Sequence, residues 1–241
     1  MAVKYIPLKF LKEDPSVGNA DSSEDAKVST ELLERLVADI RRQLEDLSPR
    51  AESLRRADLL LQLSRALVRL EKKPEAWATA RTAFELYLAE AAWEGAVQAC
   101  DILFLSEQAL SLAALGQGIW LAVTYPVDPE LSVAMLQHVV DETPPEADGA
   151  AVAAITAHYL ADLRAGQPQR DQLLIYTNQV LATVARRHSD IEGQQAFDRW
   201  LVEMELNDPA LFLPRLRNVV DVLVQDDWWF DREALQAKLP A

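Results

Sequence analysis

Apolar residues recur at intervals of three and four along most of this chain, a spacing that few structures other than helices can use. In the first such stretch the apolar positions are Leu32, Leu36, Ile40, Leu44 and Leu47. They lie on one side of a helix, because a helical turn takes 3.6 residues. No stretch shows the convincing alternation of a half-buried strand. The spacing therefore predicts an all-α chain.

Proline and aspartate divide this pattern into separate helices. Pro74 opens one helix, and Asp128-Pro129 and Asp208-Pro209 each combine a capping side chain with a proline, which fits the first helical position. Further start signals are Ser48-Pro49, the capping box from Ser189 to Glu192, and Asp231. About ten helices are expected, over residues 29–48, 49–71, 74–88, 93–105, 106–123, 129–142, 148–165 (with Gly166 as its C-cap), 168–187, from 189 onward, 208–224 and a final turn after 231.

Short connections between these helices favour antiparallel neighbours. The predicted fold is a set of antiparallel helix pairs, arranged as a short α-solenoid or as a helical bundle. It forms a single domain over residues 29–241 with a possible sub-boundary near 124–128, and residues 1–28 form a flexible tail. The segments 128–141 and 208–221 share seven of fourteen positions at an offset of 80 residues. This fits either a duplicated unit or two independent helix starts.

One part of the chain, from Leu60 to Leu88, resembles a tetratricopeptide repeat. The positions that match the family's spacing are Leu60, Leu63, Ser64 and Leu67 in a first helix and Ala76, Ala80 and Ala83 in a second. The departures are Leu60, Leu67, Ala80 and Leu88, where the family has tryptophan, tyrosine, phenylalanine and proline. Over these roughly 30 residues the resemblance implies stacked helix pairs with a concave protein-binding surface.

Charge is distributed unevenly along the chain. The sequence has 24 Lys+Arg against 38 Asp+Glu, a net charge of −14, which argues against nucleic acid and anionic membranes as partners. Between Thr82 and Leu163 there is no Lys or Arg, while the same 82 residues hold twelve acids. We expect an acidic surface that either binds a basic patch or peptide of another protein or is simply solvated. Its predicted members are Glu85, Glu90, Glu94, Glu130, Asp141 and Glu142.

The predicted tail carries a basic and apolar motif. Tyr5, Leu8 and Phe10 alternate with lysines near the start of the chain, followed by a polar stretch with little to bury. The motif is predicted to dock on another protein, on the acidic middle of its own chain or on that of a second subunit; the alternative is an end without a role. It does not match a secretory signal.

Three consecutive aromatic residues, Trp228, Trp229 and Phe230, follow the last long predicted helix. Neighbouring side chains on a helix point about 100° apart, so the three cannot all face one core from one helix. Either they form a partner-binding edge, for which tryptophan is well suited, or they close the end of the fold. We call them the aromatic segment.

Residues suited to catalysis or metal binding form no recognised motif. His138, His158 and His188 each lie near an acid, but no Glu-x-x-His or His-Glu-x-x-His sequence occurs. Gly116 and Gly118 follow no strand, so they are interpreted as a helix bend or a close helix approach. The lone Cys100 is interpreted as a buried small residue. No catalytic residue, metal or cofactor is predicted.

The sequence thus favours a non-catalytic, cytoplasmic adaptor, assembly factor or accessory subunit that binds another protein. One alternative is a small-molecule-binding or enzymatic helical domain in which Trp93, Trp120 or Tyr125 lines a pocket beside a buried His or carboxylate. A second alternative is a homo-oligomeric scaffold in which subunits exchange their tails.

Overall fold

The computed structural model describes residues 23–47 and 53–237, and all regular structure within those ranges is helical. This confirms the predicted all-α fold of packed helix pairs. The eleven helices are α1 (Ser23–Asp46), α2 (Ser53–Arg69), α3 (Lys73–Ala89), α4 (Trp93–Leu105), α5 (Ser111–Thr124), α6 (Pro129–Glu142), α7 (Gly149–Arg164), α8 (Gln169–Ser189), α9 (Gln194–Glu203), α10 (Pro209–Val224) and α11 (Arg232–Gln236).

Most of the predicted tail lies outside the described residues. This holds for Tyr5, Leu8 and Phe10, and also for the proposed helix start at Ser48-Pro49. Residues 23–28, which were assigned to the tail, belong instead to α1.

Three predicted aspartate caps are confirmed. Asp128 Oδ1 accepts hydrogen bonds from the backbone amides of Glu130 at 2.8 Å and Leu131 at 3.2 Å. The Asp208 carboxylate accepts one from the Ala210 amide at 2.9 Å, and that of Asp231 accepts one from Ala234 at 3.0 Å. These contacts satisfy amides at the helix start that have no partner within the helix.

Three predicted helix ends are wrong. Helix α8 continues through Ser189, so the predicted capping box from Ser189 to Glu192 does not form. Helix α9 begins only after Gly193, which has a φ of +80°. Gly166 is not a left-handed C-cap, because α7 ends in extended backbone at Ala165. Helix α5 starts at Ser111, five residues later than predicted, because α4 ends in a left-handed turn at Glu107.

The even-numbered helices α2, α4, α6 and α8 contact one another in succession, and we call them the row. Each also packs against the helix that follows it. Helix α10 departs from this order, because it packs against α5 and α7 rather than mainly against its neighbours in sequence. Both helices that begin with Asp-Pro, α6 and α10, therefore contact α5 and α7.

Two hydrophobic clusters support this arrangement. The larger contains residues from α2 to α11, with members on both sides of positions 124–128. The smaller joins α1 to α2 and the start of α3 through Val37, Ile40, Leu63, Leu67 and Ala76. None of the described helices combines the length and the hydrophobicity that a membrane-spanning helix requires.

Gly116 and Gly118 on α5 allow other helices to approach closely, which was one of the two predicted roles. A Cβ added at Gly116 would lie 2.5 Å from a methyl carbon of Val224 on α10. One added at Gly118 would lie 2.7 Å from Cβ of Cys100 on α4 and 2.5 Å from Cε of Met135 on α6. Helix α5 thus contacts both α4 and α10 at positions where no side chain fits.

We expect Gly118→Val to lower the free energy of unfolding by about 2–3 kcal/mol. The added branch would displace Cys100 Cβ, which is held by its backbone, and overpacking of this kind costs about 1–3 kcal/mol. Urea unfolding of the variant measures the loss. Gly166→Val is the matched control, since a Cβ there has no neighbour within 4 Å; equal stability of the two variants would contradict the close approach.

Candidate functional site

Two clefts open between successive helices of the row. The first lies between α2 and α4, has a volume of 330 Å³ and is lined by Asp58, Gln62, Arg65, Glu94 and Gln98, among others. Its lining is predominantly polar and charged. The tyrosine at its base, Tyr87, donates a hydrogen bond to Asp58 at 2.6 Å and so fixes one of these carboxylates.

The second cleft lies between α6 and α8 and has a volume of 180 Å³. Gln137 and Asp141 line it from α6, and Tyr176, Thr183 and Arg187 line it from α8. Like the first cleft, it has a carboxylate, an amide, an arginine and a tyrosine, but Val140 and Val180 make its lining more apolar.

A hydrogen bond between side chains joins each helix of the row to the next. Arg65 on α2 donates to the side-chain oxygen of Gln98 on α4 at 2.8 Å. On α4 and α6, Asp101 Oδ1 lies 2.8 Å from His138 Nε2, with the Phe104 ring 4.6 Å from the imidazole. Tyr176 on α8 donates to Gln137 on α6 at 3.1 Å. These bonds hold the clefts in register.

The six predicted acidic residues do not form one cluster. Glu94, Glu130 and Asp141 lie on α4 and α6 of the row. Glu85 lies on α3, where it pairs with Arg81 at 3.3 Å. The remaining two are at helix ends: Glu90 follows α3 and Glu142 is the last residue of α6.

Basic residues from both flanks partly neutralise the acidic middle of the chain. Lys73 binds Glu107 at 2.7 Å, and Arg215 binds Asp148 at 2.8 Å. Asp162 is paired in the same way with Arg170. By contrast, no basic side chain of the described residues pairs with Glu90, Glu94, Glu130, Asp141 or Glu142. Within the acidic middle, these unpaired carboxylates therefore lie mainly on α6 and around the start of α4.

The aromatic segment packs against α3 and α5, and each of its three rings is half-buried. The Trp229 ring lies 5.3 Å from that of Phe84 and 6.1 Å from that of Trp77, with the Arg81 guanidinium 4.1 Å above it. The Phe230 ring lies 5.2 Å from that of Trp120. These contacts close one end of the fold while leaving part of each ring exposed.

Gln117 on α5 was not identified by sequence reasoning, yet it holds this segment in place. Its side chain is fully buried. Its oxygen accepts a hydrogen bond from the Trp229 amide at 2.9 Å, and its nitrogen donates to the Asp227 carbonyl at 3.2 Å. A glutamine buried in the middle of a helix is unusual, and this was the only available signal.

The three histidines have separate environments. His138 belongs to the row, as described above. His158 is buried, its Nδ1 lies 2.9 Å from Thr177 Oγ1, and desolvation lowers its pKa to about 4. His188 lies between Ser189 and Asp148, with Nδ1 2.6 Å from the serine Oγ and Nε2 3.2 Å from the carboxylate.

The Ser189–His188–Asp148 chain resembles the order of groups in a serine hydrolase, but its surroundings do not support acyl transfer. The amides of Asp190 and Ile191, which follow the serine, are bound to carbonyls at the end of α8. They therefore cannot stabilise an oxyanion beside the serine. The other oxygen of the Asp148 carboxylate accepts a hydrogen bond from Arg215. The group is therefore a structural contact at the end of α8.

The remaining candidates for chemistry are structural or peripheral. Cys100 is fully buried, as predicted, and burial raises the pKa of its thiol. Trp93 and Tyr125 stack on each other at 3.9 Å, while Trp120 lines a separate cavity beside α10. In the described part of the chain, no three His, Cys, Asp or Glu side chains are grouped to hold a metal ion.

The row, with its two clefts and the unpaired carboxylates of α4 and α6, is thus the candidate site. Comparisons with known protein families, with curated proteins and with solved structures find no match to this chain.

Proposed function

We propose that this protein is a non-catalytic interaction protein, namely an adaptor, assembly factor or accessory subunit, that binds a basic segment of another protein along the row. The observation that carries the proposal is the repetition of a carboxylate, an amide, an arginine and a tyrosine in the clefts between α2 and α4 and between α6 and α8. Successive clefts with the same kinds of side chain suit an extended partner better than a single small molecule.

The carboxylates of α4 and α6, the two central helices of the row, support a basic partner. Glu94 lines the first cleft and Asp141 the second, and Glu130 lies on the helix α6 that contacts α4. These carboxylates accept hydrogen bonds only from neutral side chains or none, as between Gln137 and Asp141 at 2.8 Å. Their negative charge remains available to lysine or arginine. At physiological salt its influence extends about 8 Å, so it would govern partner choice and encounter rate more than final affinity.

The hydrogen bonds between row helices support a surface that is formed before binding. A rigid surface loses less conformational entropy when a partner binds, which lowers the free-energy cost of binding. The order of contacts in the row is also compatible with the tetratricopeptide likeness of residues 60–88, which remains part of the proposal. A cytoplasmic location is proposed as well.

The direct test removes three carboxylates from the centre of the row without disturbing the fold. In the triple variant Glu94→Gln, Glu130→Gln, Asp141→Asn, we expect capture of the partner from a native lysate to fall roughly threefold or more, because each exposed charge pair contributes about 0.2–1 kcal/mol. Quantitative mass spectrometry of captured proteins, at low and at high salt, measures the effect.

A matched control removes three negative charges from a surface outside the row. Glu192, Glu203 and Glu205 are exposed and lie beyond the row, near α9. Their triple replacement by glutamine should leave the same proteins bound. If both triple variants retain or lose those proteins equally, the partner does not bind the carboxylates of the row.

A further inference from the structure

A cavity of 310 Å³ lies apart from the row, between α5, α10 and α11. Its volume is at the lower end of the range of about 300–1,000 Å³ found for small-molecule sites. The floor is apolar, with buried Ile119, Leu216 and Val220 and the half-buried rings and chains of Trp120 and Leu213. An apolar group of a ligand would be removed from water there.

The rim of this cavity is cationic at one side. Arg232 binds Asp221 at 2.8 Å and lies 4.0 Å over the Trp228 ring, so its guanidinium is held in place. Arg217 lies 3.8 Å from the same carboxylate, beyond hydrogen-bond distance, and its side chain is 74% exposed. Two guanidinium groups thus share one carboxylate, which leaves one positive charge and the donors of Arg217 available.

The C-terminus of α5 borders this cavity, and an arginine compensates part of its partial negative charge. A helix C-terminus presents carbonyl groups that repel anions. Here Arg164 donates to the carbonyls of Ala122 at 2.6 Å and Val123 at 2.7 Å, and Val123 itself lines the cavity. Arg217 and Arg232 on the rim, with Arg164 on the carbonyls of α5, place three arginines near one cavity in a chain of net charge −14.

We propose that this cavity binds a small monocarboxylate with an apolar tail, its carboxylate at Arg217 and its tail on the floor beside Trp120. Glu233 also lies on the rim and opposes an anion. The affinity of such a ligand is therefore set by the balance between these two exposed side chains.

The test uses octanoate, with 1-octanol as the neutral probe of similar length, in calorimetric titrations of the whole chain. We expect saturable binding of one octanoate and weaker binding of octanol. Arg217→Gln should weaken octanoate binding roughly two- to fivefold, as expected for exposed charge pairs. Glu233→Gln should strengthen it by a similar factor, because the repulsion is removed.

Leu213→Phe provides an independent measurement, since it fills the cavity at a half-buried position without changing charge. It should abolish binding of both probes while thermal unfolding stays near that of the wild type. The proposal is overturned if octanoate does not bind at millimolar concentration, if octanol binds as tightly, or if the two charge variants shift the affinity in the same direction.

Discussion

Replacing Gln117 by leucine will lower the free energy of unfolding by about 2–4 kcal/mol. The substitution keeps the helix and the approximate volume but removes both hydrogen bonds to the aromatic segment, at the Trp229 amide and the Asp227 carbonyl. Each partly buried backbone group left without a partner costs about 1–3 kcal/mol. Urea unfolding followed by circular dichroism measures the loss.

The same variant should shift tryptophan fluorescence to longer wavelength before global unfolding. Trp228 and Trp229 are kept half-buried by contacts that the Gln117 side chain holds in register, including the 5.3 Å approach of Trp229 to Phe84. Gln172→Leu is the control, because Gln172 is exposed on α8. Should the Gln117 and Gln172 variants unfold alike and emit at the same wavelength, the glutamine does not hold the segment.

The sequence was most informative where structure depends on neighbouring residues. Asp128 and Asp208 cap their helices as predicted, because a carboxylate reaches amides two or three residues ahead whatever the rest of the chain does. The limits of α4 were also predicted correctly, at Trp93 and Leu105. Ser189 was misassigned, because nothing local shows that α8 continues until Asp190 adopts a left-handed conformation.

Interactions over long sequence separations could not be predicted. Gln117 accepts a hydrogen bond from Trp229, which lies 112 residues later in the sequence, and no local pattern predicts such a pair. The distribution of charge along the sequence was an incomplete guide for the same reason. The middle of the chain lacks cations, but folding brings Lys73, Arg170 and Arg215 against its carboxylates. Composition therefore indicated an acidic surface, whereas only the fold shows which carboxylates stay uncompensated.

The buried imidazole of His158 leads to the second large effect, a loss of stability in mild acid. Its pKa in the folded chain is about 4, against about 6.5 in an unfolded chain, because burial disfavours the charged form. Between these values the unfolded chain binds a proton that the folded chain does not. Stability is therefore fully present above pH 6.5 and decreases as the pH falls toward 4. At 1.36 kcal/mol per pKa unit, the loss from this group approaches about 3 kcal/mol.

His158→Asn separates this contribution from that of the carboxylates, which titrate in the same range. An asparagine amide can still donate to Thr177 Oγ1, the partner of His158 Nδ1 at 2.9 Å, but it does not titrate. We expect the variant to be less stable than the wild type at pH 7, because the site is underfilled, yet to lose about 3 kcal/mol less between pH 7 and pH 4. Urea unfolding at several pH values gives both curves. If the two curves run parallel, folding does not lower the pKa of His158, and burial does not keep its imidazole neutral.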